Sequence, residues 1–431
     1  MSSTSTGIVD HTPAPGVDDS AAASVAAWLS RRTGSADVDG GVERAWDRYL
    51  DAAGREIASA ADHPTGFFPH VTEDGRWQLL DAEARSDDSG PHYEHGNWTA
   101  GFRSGVAWLH ALGTGEEASA QTARRWARAV AGRATDHTTH DIGFLFFPGT
   151  GLPDLAGRLG DDDADLVATG HRAARTLAAR WNPRTGLLQA FGPVGSPRLA
   201  GTSTIDTMMN LPLLWWAGHH GGDGVLLDIA RRHARTSARL YLRPDGSTYH
   251  LLHLDPLTGA VLRRGTFQGS DDASCWSRGQ AWSVCGMAWG FAITGESELL
   301  ETAERSVAYY FDHLPDSGIP PWDFTAAVAG VPDSSASAAA ALGCLFLGQF
   351  HPDAEAAAVY RAAGRALLSD LGETSINTGS GDGILLHSTY SLPHNRGVDG
   401  ATGFGDFYVG LALGCATGVL GVGDLACGRT R

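Results

Sequence analysis

Cysteine is scarce in this chain and forms no pattern. The five residues, Cys275, Cys285, Cys344, Cys415 and Cys427, are odd in number and scattered, and most stand inside apolar helical sequence. Metal-ligand spacing is absent, and buried free thiols of a reducing compartment are expected. No Lys/Arg-rich run occurs, and the net charge is −17, which argues against nucleic acid as a partner. No apolar run reaches the ~18 residues of a membrane span; the most apolar stretch, Leu411 to Val422, is interrupted by Gly, Thr and Cys. The N-terminus has no basic residue before Arg31 and no signal-type apolar core, so a cytoplasmic location is expected. Residues 1–22, rich in Ser, Thr, Pro and Asp, are expected to be disordered, with residues 23–431 forming one catalytic domain.

What is abundant is core material. The hydrophobic content is 42%, with 13 Trp and 15 Phe. Amphipathic segments at Ala21–Arg32 and Val42–Ala61 open the chain; Pro64–His70 reads as a loop and Trp77–Ser89 as an extended strap. From Asn97 a unit recurs: a polar or aromatic loop, an apolar Gly/Ala/Trp helix, a tight turn, then an Ala/Arg-rich amphipathic helix. Two copies align well, WTAGFRSGVAWLHALGTGEE from Trp98 and WSRGQAWSVCGMAWGFAITGES from Trp276. Six loop-to-helix starts fall near Trp98, Asp141, Asp206, Trp276, Ser335 and Gly403. Apolar first helices and amphipathic second ones predict an all-α double ring, an (α/α)6 barrel, with its site where the loops meet the inner helices. An open α-solenoid would have more regular repeats. Ser247–Leu254 and Val261–Phe267 could form one short hairpin.

The stretch Gly265–Trp282, GTFQGSDDASCWSRGQAW, gathers Gln268, Asp271, Asp272, Trp276, Arg278 and Trp282. Rings to stack on a sugar and a guanidinium to pair with a carboxylate suit an acidic sugar. The same residues also suit a loop into a buried helix, with Arg278 paired to Asp271 or Asp272. Asp141, in HDIGFLF, and Asp206, in IDTMMN, each stand in apolar company at the mouth of an inner helix. Burial would raise such a carboxyl and suit it to general acid work, whereas a helix N-cap is the plain structural role. Two such acids at ring mouths, with the Trp/Arg stretch at a third, point to one shared site.

The motifs HDIGFLF, IDTMMNLPLLWWA, QGSDDASCWSRGQAW and LPDSGIPPWDF resemble those of the unsaturated glucuronyl hydrolases, glycoside hydrolase family 88, over about Asn97 to Gly410. The resemblance implies an (α/α)6 barrel without metal or cofactor. The implied activity removes the 4,5-unsaturated uronic acid that lyases leave at the non-reducing end of glycosaminoglycan-type oligosaccharides. The double bond would be hydrated, unlike the substitution performed by two-carboxylate glycosidases. Matching by position makes Asp206 the general acid and base and Asp141 the second essential acid. It makes His140, His250, Gln268 and Arg278 polar pocket residues, with Arg278 for the substrate carboxylate. Trp98, Phe102, Trp276 and Trp282 would be aromatic walls, and Tyr390 a rim residue.

Arg103-Ser104 departs from the large aromatic and Pro common in relatives. Ser388–His394 lacks the Lys that some relatives carry for sulfate, so a preference for unsulfated substrates is expected. An unsaturated rhamnogalacturonyl hydrolase is the nearest rival. A sugar isomerase or epimerase would use paired His, for which His219-His220 are the one adjacent candidate, and a non-catalytic oligosaccharide-binding toroid would need no buried acid pair. The expected partner is an unsaturated uronyl oligosaccharide, met by a monomer or homodimer, with neither nucleic acid nor membrane.

Overall fold

The computed structural model describes residues 21–60, 63–90, 94–326 and 330–427. Residues 1–20 of the stretch expected to be disordered lie outside the described residues, and Ala21 already begins a helix. Helix α1 (Ala21–Arg31) is followed by α2 (Val38–Ser59), whose N-terminus is capped by the Asp37 side chain accepting from Gly40 N–H. An antiparallel hairpin, β1 (Phe67–Glu73) and β2 (Arg76–Asp81), comes next. The expected loop at Pro64–His70 is therefore half strand. Its alternation is hidden because Phe68, Pro69, His70, Val71 and Thr72 are all buried, as in a strand covered on both faces.

The ring is built from helical pairs. Its members are α3 (Ala100–Thr114) with α4 (Glu117–Ala129); α5 (Ile142–Phe146) and α6 (Leu152–Leu155) with α7 (Ala164–Ala178); and α8 (Leu211–Gly221) with α9 (Gly224–Tyr241). They continue with α10 (Ser277–Thr294) and α11 (Ser297–His313), then α12 (Ser334–Phe350) and α13 (Ala354–Thr374). Helix α14 (Gly403–Ala416) packs against α3, α12 and α2, so the sixth pair joins the last long helix to the second one. A short α15 (Val422–Leu425) follows. Every residue of α10 from Ser277 to Ala292 is buried, which fits a helix apolar nearly all round and surrounded by protein. Helices α4 and α9 bury one stripe and expose most of their arginines.

The predicted toroid is thus observed, and all six helix starts fall within a few residues of their expected places. Between α5 and α6 the backbone widens into a π-turn at Phe147–Gly151, where Pro148 offers no N–H. Short strands β3 (Trp181–Asn182) and β4 (Leu187–Leu188) pair across the α7–α8 connection. The expected hairpin is present as β6 (Leu251–Leu254) and β7 (Val261–Gly265), with β5 (Thr202–Thr204) added on the β6 side. Among the described residues all five cysteines are free, with four of them buried, and no helix is long and apolar enough to cross a membrane.

One glycine sets the spacing of the acids. A Cβ on Gly143 of α5 would lie 2.4 Å from both the Cα and the carbonyl oxygen of Asn210, backbone that has no room to yield. Asn210 Oδ1 accepts from Phe144 N–H at 2.8 Å, tying the two segments together. Gly143→Ala is expected to cost about 1–3 kcal/mol through overpacking. It should also lower kcat more than it raises KM, because it separates Asp141 from Asp206. Chemical denaturation together with steady-state kinetics checks both effects.

Candidate active site

Asp141 occupies the residue before α5, and its side chain makes no cap hydrogen bond; Asp206 lies inside the 3-10 segment Ile205–Asn210 before α8, whose cap position is held by Thr204. Neither acid caps a helix, and each carboxylate turns to the same histidine. His140 Nε2 lies 3.4 Å from Asp141 Oδ1, 3.3 Å from Asp206 Oδ2 and 3.3 Å from Thr204 Oγ1. Its Nδ1–H donates to the Ala190 carbonyl at 3.0 Å, which fixes the ring and aims Nε2 at the two acids. Thr139 Oγ1 donates to Asp141 Oδ2 at 2.6 Å, and Asp206 Oδ1 is buried with no partner among the described residues.

This geometry splits the two carboxyls. Burial raises Asp141, helped by the nearby Asp206 and opposed by His140. Burial also pushes Asp206 up, but the His140 hydrogen bond and the charge of His140 outweigh it and hold the group well below the ordinary carboxylate range. The expectation that burial keeps Asp206 protonated is therefore reversed in the free protein. Burial works to lower His140, yet the two acids raise it above the ordinary imidazole value. The proton sits mainly on His140, shared with Asp206 across one hydrogen bond. One donor atom from each of His140, Asp141 and Asp206 lies within 4.8 Å of the others, so the three could also ligate a cation.

The walls come from the neighbouring ring mouths. Trp98, Trp276, Trp282, Gln268, His250, Arg278 and Tyr390 all line the cavity with the acids. Trp98 Nε1–H donates to the Tyr390 hydroxyl at 3.1 Å, and Gln268 Nε2–H to the Tyr390 carbonyl at 2.9 Å. His250 Nδ1 accepts from Phe267 N–H at 3.2 Å, so its hydrogen is on Nε2. Burial drops His250 to about 4, making it a neutral donor. Trp322 Nε1–H donates to the Gln268 carbonyl, and Asp323 accepts from Ser270 N–H and Ser274 Oγ–H, so the LPDSGIPPWDF motif braces the Gln268 loop from behind.

Two sequence readings need correction. Phe102 is fully buried and does not line the cavity; it packs behind, 5.3 Å from Phe144 and 6.3 Å from Trp98 between ring centroids. Arg278 pairs with neither Asp271 nor Asp272. Its Nη1 donates to Asp333 Oδ2 at 2.5 Å and to the Thr389 carbonyl at 2.6 Å, and Nη2 donates to the Tyr390 carbonyl at 2.7 Å. Asp272 is taken by Arg263, and Asp271 accepts from Ala273 N–H. Four lining residues went unread: His95, Phe144, Phe191 and Phe267. Phe144 stands in the HDIGFLF motif and Phe267 in the Gly265–Trp282 stretch, whereas His95 and Phe191 lie outside both.

His219 and His220 end α8 far from the acids, and His220 Nδ1 meets His171 Nε2 at 2.9 Å, so the isomerase pairing gains no support. The cavity's free volume is about 30 Å3. A hollow of about 630 Å3 beside Pro320 and Pro321 lacks any comparable cluster of His and acids.

No family model matches the chain. Curated relatives do. The chain is 34% identical over 357 residues to the unsaturated glucuronyl hydrolase of Bacillus sp. (strain GL1), covering 80% of this chain and 90% of that protein. This chain belongs to the unsaturated glucuronyl hydrolases. It is also 30% identical over 381 residues to the unsaturated chondroitin disaccharide hydrolase of Streptococcus pyogenes serotype M1, covering 84% of this chain and 89% of that one. Among solved structures, the unsaturated glucuronyl hydrolase of Bacillus sp. GL1 superposes with a TM-score of 0.76 at 31% identity, over 86% of this chain and 96% of that one. An unsaturated glucuronyl hydrolase specific for heparin superposes with a TM-score of 0.78 at 27% identity, over 88% and 98%. Membership makes the chain a glycosidase of the hydrolase class, and the acid–histidine–acid cluster lies where the inner helices of an unsaturated glucuronyl hydrolase toroid begin.

Proposed function

We propose that the chain removes a 4,5-unsaturated uronic acid from the non-reducing end of lyase-generated, glycosaminoglycan-type oligosaccharides, with Asp206 as general acid and base. The observation that carries this reading is His140 held between Asp141 and Asp206 at the wall of an aromatic cavity. The substrate ring is a vinyl ether. Asp206, recharged through its His140 hydrogen bond, gives a proton to carbon 4, and positive charge develops at carbon 5 and the ring oxygen. An entering substrate carboxylate favours this transfer, because a like charge nearby raises the Asp206 carboxyl. Water adds at carbon 5 and loses its proton to the Asp206 carboxylate. The hemiketal then opens at its bond to the ring oxygen, leaving a ketone at carbon 5 and a hemiacetal at carbon 1, and this hemiacetal collapses to an aldehyde as it releases the leaving sugar with its hydroxyl. Asp141 holds the ring hydroxyls, His250 donates from Nε2, and Trp98, Trp276 and Trp282 pack the ring. Arg278 offers the substrate carboxylate only the donors that Asp333, Thr389 and Tyr390 leave free.

The test follows the ultraviolet absorbance of the conjugated double bond. An unsaturated uronyl disaccharide should be bleached and its saturated counterpart left intact. Hydrolysis of the saturated glucuronide at a comparable rate would overturn the reading. A panel that includes pectin-derived unsaturated rhamnogalacturonyl disaccharide decides the parent polysaccharide.

Unsulfated disaccharides should be preferred. All 32 basic residues of the chain are arginine, so no lysine can serve a sulfate. The loop offers Ser391, whose hydroxyl is engaged with His394 Nδ1 at 2.7 Å, and Pro393, which has no N–H. Arg396 is the competing cation, with its guanidinium 5.7 Å from the Tyr390 ring centre. The ratio of kcat/KM for matched unsulfated and sulfated disaccharides should exceed one. A ratio below one that Arg396→Ala reverses would assign sulfate binding to Arg396.

A further inference from the structure

Outside the catalytic cavity, a second hollow joins a buried cation to exposed aromatic rings. It measures about 350 Å3 and lies between the C-terminal end of α2, the start of β1 and α4. The cation is Arg103, one residue beyond Phe102 on α3 and only 4% exposed. Its Nη2 donates to the Glu56 carbonyl and to Glu56 Oε2, each at 2.8 Å. The other donors are unused: Nε is buried without a partner, and Nη1 has none among the described residues. A buried guanidinium with donors left unmade is costly unless something else completes it.

The surroundings supply a site of definite chemistry. The Arg103 guanidinium lies 5.6 Å from the centre of the Trp126 ring, which is itself partly exposed. Arg125, exposed at the rim, donates from Nη2 to Thr122 Oγ1 at 2.8 Å. Phe67 stands 40% exposed on the opposite side. Arg103 and Arg125 both line the hollow, and of the two only Arg103 is ion-paired among the described residues, to Glu56. The volume is at the small end of ligand pockets, which run from ~300 Å3 upward. A carboxylate suits the donors that Arg103 Nη1 and Arg125 leave free, and ring faces beside them favour a ligand with an apolar flat side over a bare anion.

We propose that this hollow is a second binding site, separate from the catalytic cavity, for the carboxylate of a single sugar acid. The carboxylate meets Arg103 and Arg125, and the sugar ring lies against Trp126 or Phe67. The inference stands on the hollow alone and not on the reaction proposed above.

Arg103→Met would leave the buried Glu56 charge unmatched and endanger the fold. The test therefore uses the double variant Arg125→Gln/Trp126→Ala, which leaves the Arg103–Glu56 pair in place, with unchanged turnover as its folding control. Saturated D-glucuronate, D-glucose and inorganic phosphate are titrated by calorimetry into the wild type, this double variant and the catalytic-cavity variant Gln268→Ala. The expected result is a glucuronate site with a Kd on the order of 1 mM, as for a ligand of about a dozen heavy atoms. That site should persist in Gln268→Ala, weaken at least ~10-fold in the double variant, and be at least ~10-fold weaker for glucose. Equal binding by the wild type and the double variant would overturn the proposal, as would loss of the site in Gln268→Ala alone. Phosphate binding as well as glucuronate would overturn the sugar-acid assignment.

Discussion

Asp206→Asn is expected to lower turnover of an unsaturated uronyl disaccharide by at least ~10²-fold, the scale of general acid catalysis, while the protein still folds and binds. Asparagine keeps the shape of the side chain and can still bond His140 Nε2, but it can neither donate an acidic proton to carbon 4 nor accept one from water. The substitution also strips His140 of one of the two negative charges that raise it, so the His140 pKa should fall toward the ordinary imidazole value. In the wild type, kcat/KM should decline on the alkaline side as the His140 proton leaves, at a pH above the ordinary imidazole value. A His140 ring signal followed by NMR against pH, alongside the pH–rate profile, reads both changes. Near-normal turnover in Asp206→Asn would move the proton donor to Asp141, which burial already holds toward its protonated form.

The second large effect lies at Arg278. With Asp333 fully buried beneath it, the guanidinium makes three hydrogen bonds, two of them to carbonyls of the segment that carries Tyr390. It also lies 4.5 Å from the Trp276 ring centre and 4.7 Å from that of Phe404. Arg278→Lys keeps the charge but cannot reach Asp333, Thr389 and Tyr390 together. Breaking a buried pair on one side leaves the other charge unmatched, at a cost of about 3–5 kcal/mol. Asp333→Ala should be at least as damaging, and the double variant Arg278→Met/Asp333→Leu less so than the sum of the two. Denaturant unfolding measures this. A variant that unfolds normally but loses only substrates bearing the uronate carboxylate would show that recognition, not bracing, is the main work of Arg278.

That pairing marks where sequence reasoning stops. The ring of helices was legible because burial leaves a periodic trace: α10 and α12 are apolar all round, and α4 and α9 on one stripe. The acids and tryptophans at the ring mouths were legible for a similar reason, since Asp141 and Asp206 are conspicuous in apolar company. Asp333 was not, because its partner is 55 residues away and proximity in sequence favoured Asp271 and Asp272. Phe102 was misplaced by a fraction of a helical turn, which decides between lining a cavity and backing it. The direction of the Asp206 shift depends on the aim of one imidazole, and that aim is fixed by the Ala190 carbonyl 50 residues beyond His140.

The sixth helical pair has a consequence for synthesis. Helix α2 emerges early with Val42, Ala45, Trp46, Tyr49, Ala52 and Ala53 ready for burial, yet its main neighbour is α13, near the other end of the chain. Glu56 Oε1 waits for the amide of Gly383, 327 residues later. On the ribosome, therefore, Asp141 and Asp206 are made long before the enclosure that sets their surroundings can close. Contacts so distant in sequence are slow to form and leave apolar surface bare meanwhile. A chain halted before α13 would carry Asp141, His140 and Asp206 in full and still leave bare the α2 face that packs on α13. Quality control of this protein is thus set by its final quarter, and damage there should surface first as aggregation rather than as a slower enzyme.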